Sequence, residues 1–256
     1  MNTADSASDA APEAAPAQPP QIAPGSWRRW LKAGWEDFQA ERSQALRYGG
    51  GFVALSWVLV VLLFLSGLEW MLLPALAGAM LMGPLVATGL YQISRARQDG
   101  EMVPPAALGQ IGYLGAIMLI LLLLWIRAAT VLYALFFGLT PFPGFWDKMA
   151  LIFTTADGLA MLLVGSAVGG LFAALTFALT AFSIPMLVER DIDCFTAMGR
   201  SFSAVTHNLR PAIEWGATIV VLSGIGFATG LIGMVVVFPW LGFATWHAYR
   251  EVFAGR

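Results

Sequence analysis

The residue with the clearest chemical potential is Arg127, a cation inside the long apolar run 111–137. A charged side chain within a membrane span is costly, and it is usually paired with an opposite charge or placed at a functional site. Three carboxylates stand beside the ends of apolar runs on the same predicted side: Glu69, Asp147 and Asp157. Because Asp157 directly precedes the next run, the sequence predicts an ion pair of Arg127 with Asp157 first and with Glu69 second.

Two interpretations of Arg127 remain open. In the structural one, the side chain forms a stabilising ion pair or extends along its helix to the nearby membrane interface. In the functional one, the arginine binds an anion or a transported substrate.

Other reactive side chains are few. Cys194 is the only cysteine, which excludes an intrachain disulfide and a zinc or iron–sulfur site built from several thiolates. His207 and His247 are far apart in the sequence, whereas a haem in a helical bundle usually needs an axial pair on facing helices. No nucleotide-binding loop, nucleophile elbow, metalloprotease helix or carboxylate pair is present. We therefore expect no enzymatic activity, no cofactor, no metal and no nucleic-acid partner.

The elements that position these residues are membrane helices. The 256 residues are 58% hydrophobic and only 12% charged, against about 25% charged in a typical soluble domain. Runs of ~20 apolar residues are long enough to cross a bilayer. The sequence predicts an all-α bundle of six transmembrane helices within residues 49–253, at about 51–67, 72–93, 111–137, 159–188, 212–230 and 233–248.

The distribution of positive charge predicts how the chain is oriented. With six spans, all of the 14 Lys and Arg residues except Arg127 and Lys148 fall on the side of the N-terminus. Cytoplasmic loops carry such an excess of positive charge. Both termini are therefore predicted to be cytoplasmic, although the break near Gly230 and Gly233 is the least secure boundary.

Two polar segments are predicted to form cytoplasmic amphipathic helices. Residues 26–47 carry Trp and Phe on one face and Lys and Arg elsewhere, which suits a helix at the membrane surface or one packed on the protein itself. The Ala/Pro-rich residues 1–24 before it are predicted to be a disordered tail. After the fourth span, Asp193 is a candidate cap for a second helix. The candidate partner-docking residues of that helix are Phe195, Met198, Arg200, Phe202 and Arg210.

Two further patterns concern packing. Gly165, Gly169 and Ala173 form a small-residue stripe in the fourth span, which typically lets two helices approach closely. The segments 84–95 and 239–250 share one pattern. Each begins with a proline, which is followed by six residues, an aromatic residue, a polar residue, two further residues and an arginine. This similarity predicts a duplicated or pseudo-symmetric arrangement, although helices that end at an interface often show an aromatic followed by Arg.

Four segments carry a resemblance to a known family: GWEDF (34–38), PLVATGLYQISRARQDGE (84–101), FSIPMLVERDIDCFTAM (182–198) and PWLGFATWHAYREV (239–252). They resemble predicted bacterial integral membrane proteins of the domain of unknown function 2189 family, over roughly residues 30–253. The acids and Arg after Pro185 and the His-Ala-Tyr-Arg ending are the more specific parts. The resemblance implies a proteobacterial inner-membrane protein, and it brings no established activity and no functional residues.

The leading functional hypothesis is a non-enzymatic accessory or assembly protein of the inner membrane. Its partners are the lipid bilayer and, in the assembly role, another membrane protein. The alternative is a small transporter or channel with Arg127 at its site. A haem- or quinone-associated membrane protein is the weaker third hypothesis.

Overall fold

The structure is a computed structural model that describes residues 21–138 and 144–253, and all regular structure in these residues is helical. A short 3-10 turn at Glu69–Met71 separates the second and third helices. The α-helices are α1 (Trp27–Ala40), α2 (Arg42–Leu65), α3 (Leu72–Val86), α4 (Thr88–Asp99), α5 (Leu108–Phe137), α6 (Phe145–Thr154), α7 (Ala156–Thr180), α8 (Ser183–Glu189), α9 (Cys194–Thr206), α10 (Leu209–Ala228) and α11 (Met234–Phe253).

Within the described residues, five stretches are long and apolar enough to cross a membrane: Arg42–Leu65, Leu72–Asp99, Leu108–Phe137, Ala156–Glu189 and Leu209–Ala228. Helix α11, the predicted sixth span, is not among them. The second half of α11 carries Thr245, His247 and Arg250, which lower its hydropathy. Length and composition thus support five of the six predicted spans.

The two ends of the bundle differ in how tightly they are packed. At one end, α1, α4, α8 and the second half of α11 bury nearly all of their apolar faces, and Trp246 and Tyr249 are fully buried. Along α2, α5, α7 and α10, large apolar side chains stay exposed, such as Leu65 at 79% and Leu135 at 74%. Exposed leucines at this density are expected where lipid replaces water as the solvent.

Helix α11 is the centre of the packed end, and glycines bring its backbone against α1 and α2. A Cβ atom on Gly34 would lie 2.5 Å from the backbone nitrogen of Ala244, and one on Gly49 would lie 2.1 Å from the carbonyl oxygen of Val235. No side chain fits in either gap, since real Cβ contacts are longer than 3 Å. The direction of these contacts makes α11 antiparallel to α1 and α2.

The predicted amphipathic helix over 26–47 is two helices in the structure. Glu41 leaves the helical region (φ −104°, ψ 32°), so α1 ends at Ala40 and residues 42–47 belong to the helix of the first span. The buried face of α1 packs on α11. Of the two predicted alternatives, α1 therefore corresponds to the helix that packs on the protein itself. The break gives α1 and α2 separate axes, and both pack against α11.

The end of the predicted disordered tail is docked to the bundle. Residues 1–20 lie outside the described part of the chain, but Ile22 is buried and its N–H donates to Asn208 Oδ1 at 2.8 Å. The N–H of Gly25 donates to Glu214 Oε2 at 2.7 Å. These two hydrogen bonds tie the segment before α1 to the start of α10.

The long fourth span is interrupted one turn before its proline. Helix α7 ends at Thr180 and α8 begins at Ser183. A proline has no N–H to donate and its ring clashes with the carbonyl four residues earlier, here Ala181. The disruption therefore falls at Ala181 and Phe182, and Pro185 itself lies in the first turn of α8.

The hairpin of α10 and α11 turns where the sequence predicts, between Ala228 and Met234. Gly230 has a positive φ of 66°, which glycine adopts without strain. Gly226 lies against Met234, with only 2.5 Å between a Cβ position and the methionine sulfur. Gly226 thus serves packing and Gly230 serves the turn.

Candidate functional site

The structure does not bring Arg127 to either predicted carboxylate. Arg127 is exposed on α5 and makes no ion pair with Asp157, Glu69 or any other described residue. Asp157 is exposed in the first turn of α7. Trp125 and Ala129, two residues to either side of Arg127, line a cavity inside the bundle. Since two residues correspond to about 200° around a helix, Arg127 points away from that cavity.

The predicted docking helix is present as α9, and Asp193 caps it by accepting from the Thr196 N–H at 2.8 Å. Hydrogen bonds from the Thr196 side chain and from the Thr196 N–H hold the pKa of Asp193 below its usual value. The small residues Cys194, Ala197, Ser201 and Ala204 face the bundle and are buried.

The five candidate docking residues are divided between surface and interior. Phe195 and Arg200 are exposed, Phe202 is 43% exposed, and Met198 is partly buried against the core. Arg210 lies at the start of α10, where its Nε is 3.2 Å from Glu214 Oε1. The helix therefore seals the bundle with one face and leaves Phe195 outside, while the partly exposed Phe202 also lines the cavity.

A buried carboxylate, Asp37, joins three helices at the packed end. Its side chain is 6% exposed, and Arg97 Nε lies 2.9 Å from Oδ1. Its Oδ2 accepts from Ser94 Oγ and from His247 Nε2, the latter at 2.8 Å. Each donor comes from α4 or α11, so one carboxylate on α1 holds both helices.

Gln98 of α4 joins the same cluster through two residues of α11, Trp246 and His247. Trp246 Nε1 is only a donor, so the Gln98 oxygen that it meets at 3.2 Å is the amide oxygen. The Gln98 nitrogen then faces His247 Nδ1 at 3.4 Å and donates to it. His247 therefore meets Gln98 of α4 through Nδ1 and Asp37 of α1 through Nε2.

A second carboxylate, Glu189, ends α8 and binds α11. It accepts from Tyr249 Oη and from Arg250 Nη1, and Arg190 Nε lies 3.4 Å away. Arg95 Nη1 donates to the carbonyl of the preceding residue, Val188, at 2.7 Å. The arginines that end the two similar segments 84–95 and 239–250 thus converge on the same helix end.

Glu251, at the end of α11, forms a second set of hydrogen bonds with α1, in addition to the contact of Asp37 with His247. It accepts from Arg29 Nη2 at 2.6 Å, Trp30 Nε1 at 2.9 Å and Ser26 Oγ at 3.2 Å. Burial disfavours the charged form of Glu251, but the hydrogen bonds from Arg29, Trp30 and Ser26 outweigh it and hold the pKa below its usual value. The acids at this end serve to join helices.

The main unfilled space lies between the membrane helices. It is an apolar cavity of about 1100 Å³ whose walls come chiefly from α3, α5, α7, α10 and α11, with a few residues from α2, α4, α6 and α9. The predicted packing stripe lies on its wall: Gly165 has no atom within 4 Å of its Cβ position, and Ala173 is exposed. Only Gly169 packs closely, at 3.1 Å from the ring of Trp125. The small residues of the stripe therefore mainly leave space for the cavity, and only Gly169 mediates close packing between two helices.

Three polar side chains on the cavity wall hold buried atoms without a hydrogen-bond partner. They are Thr176 Oγ1 on α7, Trp215 Nε1 on α10 and Glu69 Oε2 in the turn before α3. Thr176 is 3% exposed and Trp215 is fully buried. Buried polar atoms are nearly always bonded, so such atoms beside a cavity indicate something that would occupy it.

Both histidines are hydrogen-bonded within the fold. His247 is bound to Asp37 and Gln98, and His207 to Ser203 of its own helix. Among the described residues, no group of three His, Cys, Asp or Glu side chains could hold a metal ion. A transport path through the cavity would not pass Arg127.

The sequence contained a signal for the helix-joining role of Asp37, although amphipathic periodicity alone did not identify it. Asp37 falls one turn from Gly34 and two turns from Trp30, on the face of α1 that is otherwise apolar. A carboxylate in an apolar stripe has to find donors on the helix that covers it. The cavity had no comparable signal, because it depends on how five helices are placed.

Comparison with known proteins supports the resemblance for part of the chain. No curated protein and no solved structure matches it. The family described as "Predicted integral membrane protein (DUF2189)" matches residues 72–189, which contain the segment 84–101 and the start of 182–198; the segments at 34–38 and 239–252 lie outside the match. The chain is thus a multi-pass integral membrane protein, and its residues 72–189 are similar to that family.

Proposed function

We propose that the protein is a non-enzymatic accessory protein of the bacterial inner membrane that holds a hydrophobic molecule between its membrane helices. The observation that carries this proposal is the apolar cavity of about 1100 Å³. Sites for small molecules usually measure ~300–1,000 Å³ and have mostly apolar walls with a few polar groups. The cavity is slightly larger than this range and has this character.

Packing energetics support an occupant. Protein interiors are close-packed, and empty apolar space costs about 24 cal/mol per Å³. The cavity is partly open to its surroundings, so hydrocarbon chains of the membrane can enter it and fill the apolar space. Walls from five separate helices, with Gly165 and Ala173 contributing no bulk, keep it open.

The proposed orientation is N-in and C-in, with α11 as the sixth pass. The contact between Arg29 and Glu251, 2.6 Å apart, supports it, because α1 and the end of α11 then lie on one side of the membrane. The excess of Lys and Arg at that end supports the cytoplasm as this side.

The accessory role is supported by the way the charged groups are used. Asp37, Glu189 and Glu251 each bind donors from other helices, so they stabilise the fold and are not free to act on a substrate. The exposed Phe195 and Phe202 on α9 are the surface that we propose for contact with lipid or with a second membrane protein.

The variant Gly165→Phe tests the cavity as a binding site. Its Cβ position has no neighbour within 4 Å, so the new ring enters the cavity without displacing the backbone. We expect the amount of co-purifying hydrophobic molecules, measured by mass spectrometry after solvent extraction from the purified protein, to fall about tenfold. A misplaced group in an apolar pocket has at least this effect.

Gly224→Phe is the matched control. Gly224 also has no neighbour within 4 Å of its Cβ position, but it is exposed on α10 and does not line the cavity. Equal amounts of bound molecules in both variants would contradict the proposed function. The accessory role is tested with the same protein purified in mild detergent. If no stoichiometric partner protein is ever retained, the proposed docking at α9 is contradicted.

A further inference from the structure

Thr176 is an exception among the threonines of the membrane helices. Thr130, Thr180 and Thr245 each donate their hydroxyl hydrogen to the carbonyl four residues earlier, at 2.7–2.8 Å. This bond is the usual way for a helix to satisfy a hydroxyl away from water. The Thr176 hydroxyl makes no such bond although it is buried. Its hydrogen-bonding capacity is therefore free for an occupant of the cavity.

Trp215 presents a second donor at the same level of the bundle. Phe177 Cζ lies 4.0 Å from the Cβ position of Gly216, so the residues next to Thr176 and Trp215 are in contact across the two helices. The indole of Trp215 is held edge-to-face against Trp30 at 5.5 Å between ring centroids. An indole N–H can only donate, so its partner has to be an acceptor atom.

The charge of the cavity wall limits the kind of acceptor. Among the described side chains on the wall, the only charged one is Glu69, an anion, and no Lys, Arg or His lines the cavity. A carboxylate or phosphate would be buried there without a counter-ion, which is very costly in an apolar environment. The acceptor is therefore a neutral oxygen.

We infer that Thr176 and Trp215 bind the carbonyl oxygen of a neutral, long-chain amphiphile whose hydrocarbon part fills the apolar part of the cavity. This inference rests on the proposed function. A carbonyl on a membrane-dissolved chain occurs in acyl esters and in quinones, and both offer the same acceptor to the two donors. The hydrocarbon part meets the apolar walls of α3, α5 and α7.

The test measures binding of four probes to the purified protein by native mass spectrometry: decylubiquinone, dioleoylglycerol, oleate and the hydrocarbon squalene. In Thr176→Val, which keeps the shape of the side chain and removes the hydroxyl, we expect about fivefold weaker binding of the carbonyl probes, the effect of one hydrogen bond. Trp215→Phe removes the second donor and should act in the same direction. Squalene binding should be the same in wild type and both variants.

The outcomes separate the two proposals. A selective loss of decylubiquinone assigns the site to quinones, and a selective loss of dioleoylglycerol assigns it to acyl lipids. Preferential binding of oleate, or unchanged binding of all probes in both variants, overturns the inference. If Gly165→Phe still abolishes binding in that case, the cavity remains a binding site; if Gly165→Phe has no effect either, the proposed function fails too.

Discussion

Gly49→Ala lowers the free energy of unfolding by about 3 kcal/mol or more, at the upper end of the usual effect of overpacking. The added Cβ would lie 2.1 Å from the carbonyl oxygen of Val235. That oxygen belongs to the backbone of α11, so no change of rotamer relieves the clash and the two helices have to separate. Thermal unfolding in detergent, followed by tryptophan fluorescence, measures the effect.

The neighbouring glycine provides the control. Gly50 lies in the same helix and has no atom within 4 Å of its Cβ position. Gly50→Ala should therefore stabilise the protein slightly, by up to about 1 kcal/mol, because alanine is the better helix former. Opposite signs at adjacent positions are expected only if α11 packs against α2 at Gly49. Equal melting temperatures of the two variants would contradict that packing.

The membrane helices were predictable because their signal is local. A run of apolar residues is sufficient to identify a span, and a glycine pair or a proline identifies its end. The break between α10 and α11 and the cap at Asp193 follow from residues within one or two turns. The break at Ala181 lies one turn before Pro185 because the proline disrupts the turn that precedes it.

The site was not predictable because its properties depend on contacts between distant parts of the chain. Spacing alone suggested that Gly165 and Ala173 pack against a helix, yet the space opposite them is unfilled. Arg127 seemed to need a partner, yet its position on α5 turns it away from the interior. Sequence periodicity predicts on which face of its helix a residue lies. Only the arrangement of the helices determines which residues, or which unfilled space, lie opposite that face.

The packed end and the cavity are coupled through α11 and α10. Helix α11 carries His247 and Arg250, which join the packed end, and also Leu241 and Thr245, which line the cavity. Trp215 lines the cavity and contacts Trp30 of α1. The position of the donor that we propose for the ligand thus depends on how firmly α1 is held to the bundle.

Asp37→Asn lowers the free energy of unfolding by about 2–3 kcal/mol. An amide has only one acceptor oxygen, so its nitrogen faces either Arg97 or the pair of Ser94 and His247, all of which donate to the carboxylate. Removing one member of a buried ion pair typically costs ~3–5 kcal/mol. The expected effect is smaller here because Arg97 is 40% exposed and can bind water instead.

Asp99→Asn is the appropriate comparison for this variant. Asp99 is in the same part of the molecule and pairs with Arg95 at 3.3 Å, but its side chain is 38% exposed. Exposed ion pairs contribute about 0–1 kcal/mol, so this variant should melt close to wild type. Since Asp37 holds α1 to α4 and α11, Asp37→Asn should also increase proteolysis between α1 and α2, near Glu41. A melting temperature and a cleavage rate that match those of Asp99→Asn would show that α1 is held by its glycine and tryptophan contacts without help from the carboxylate.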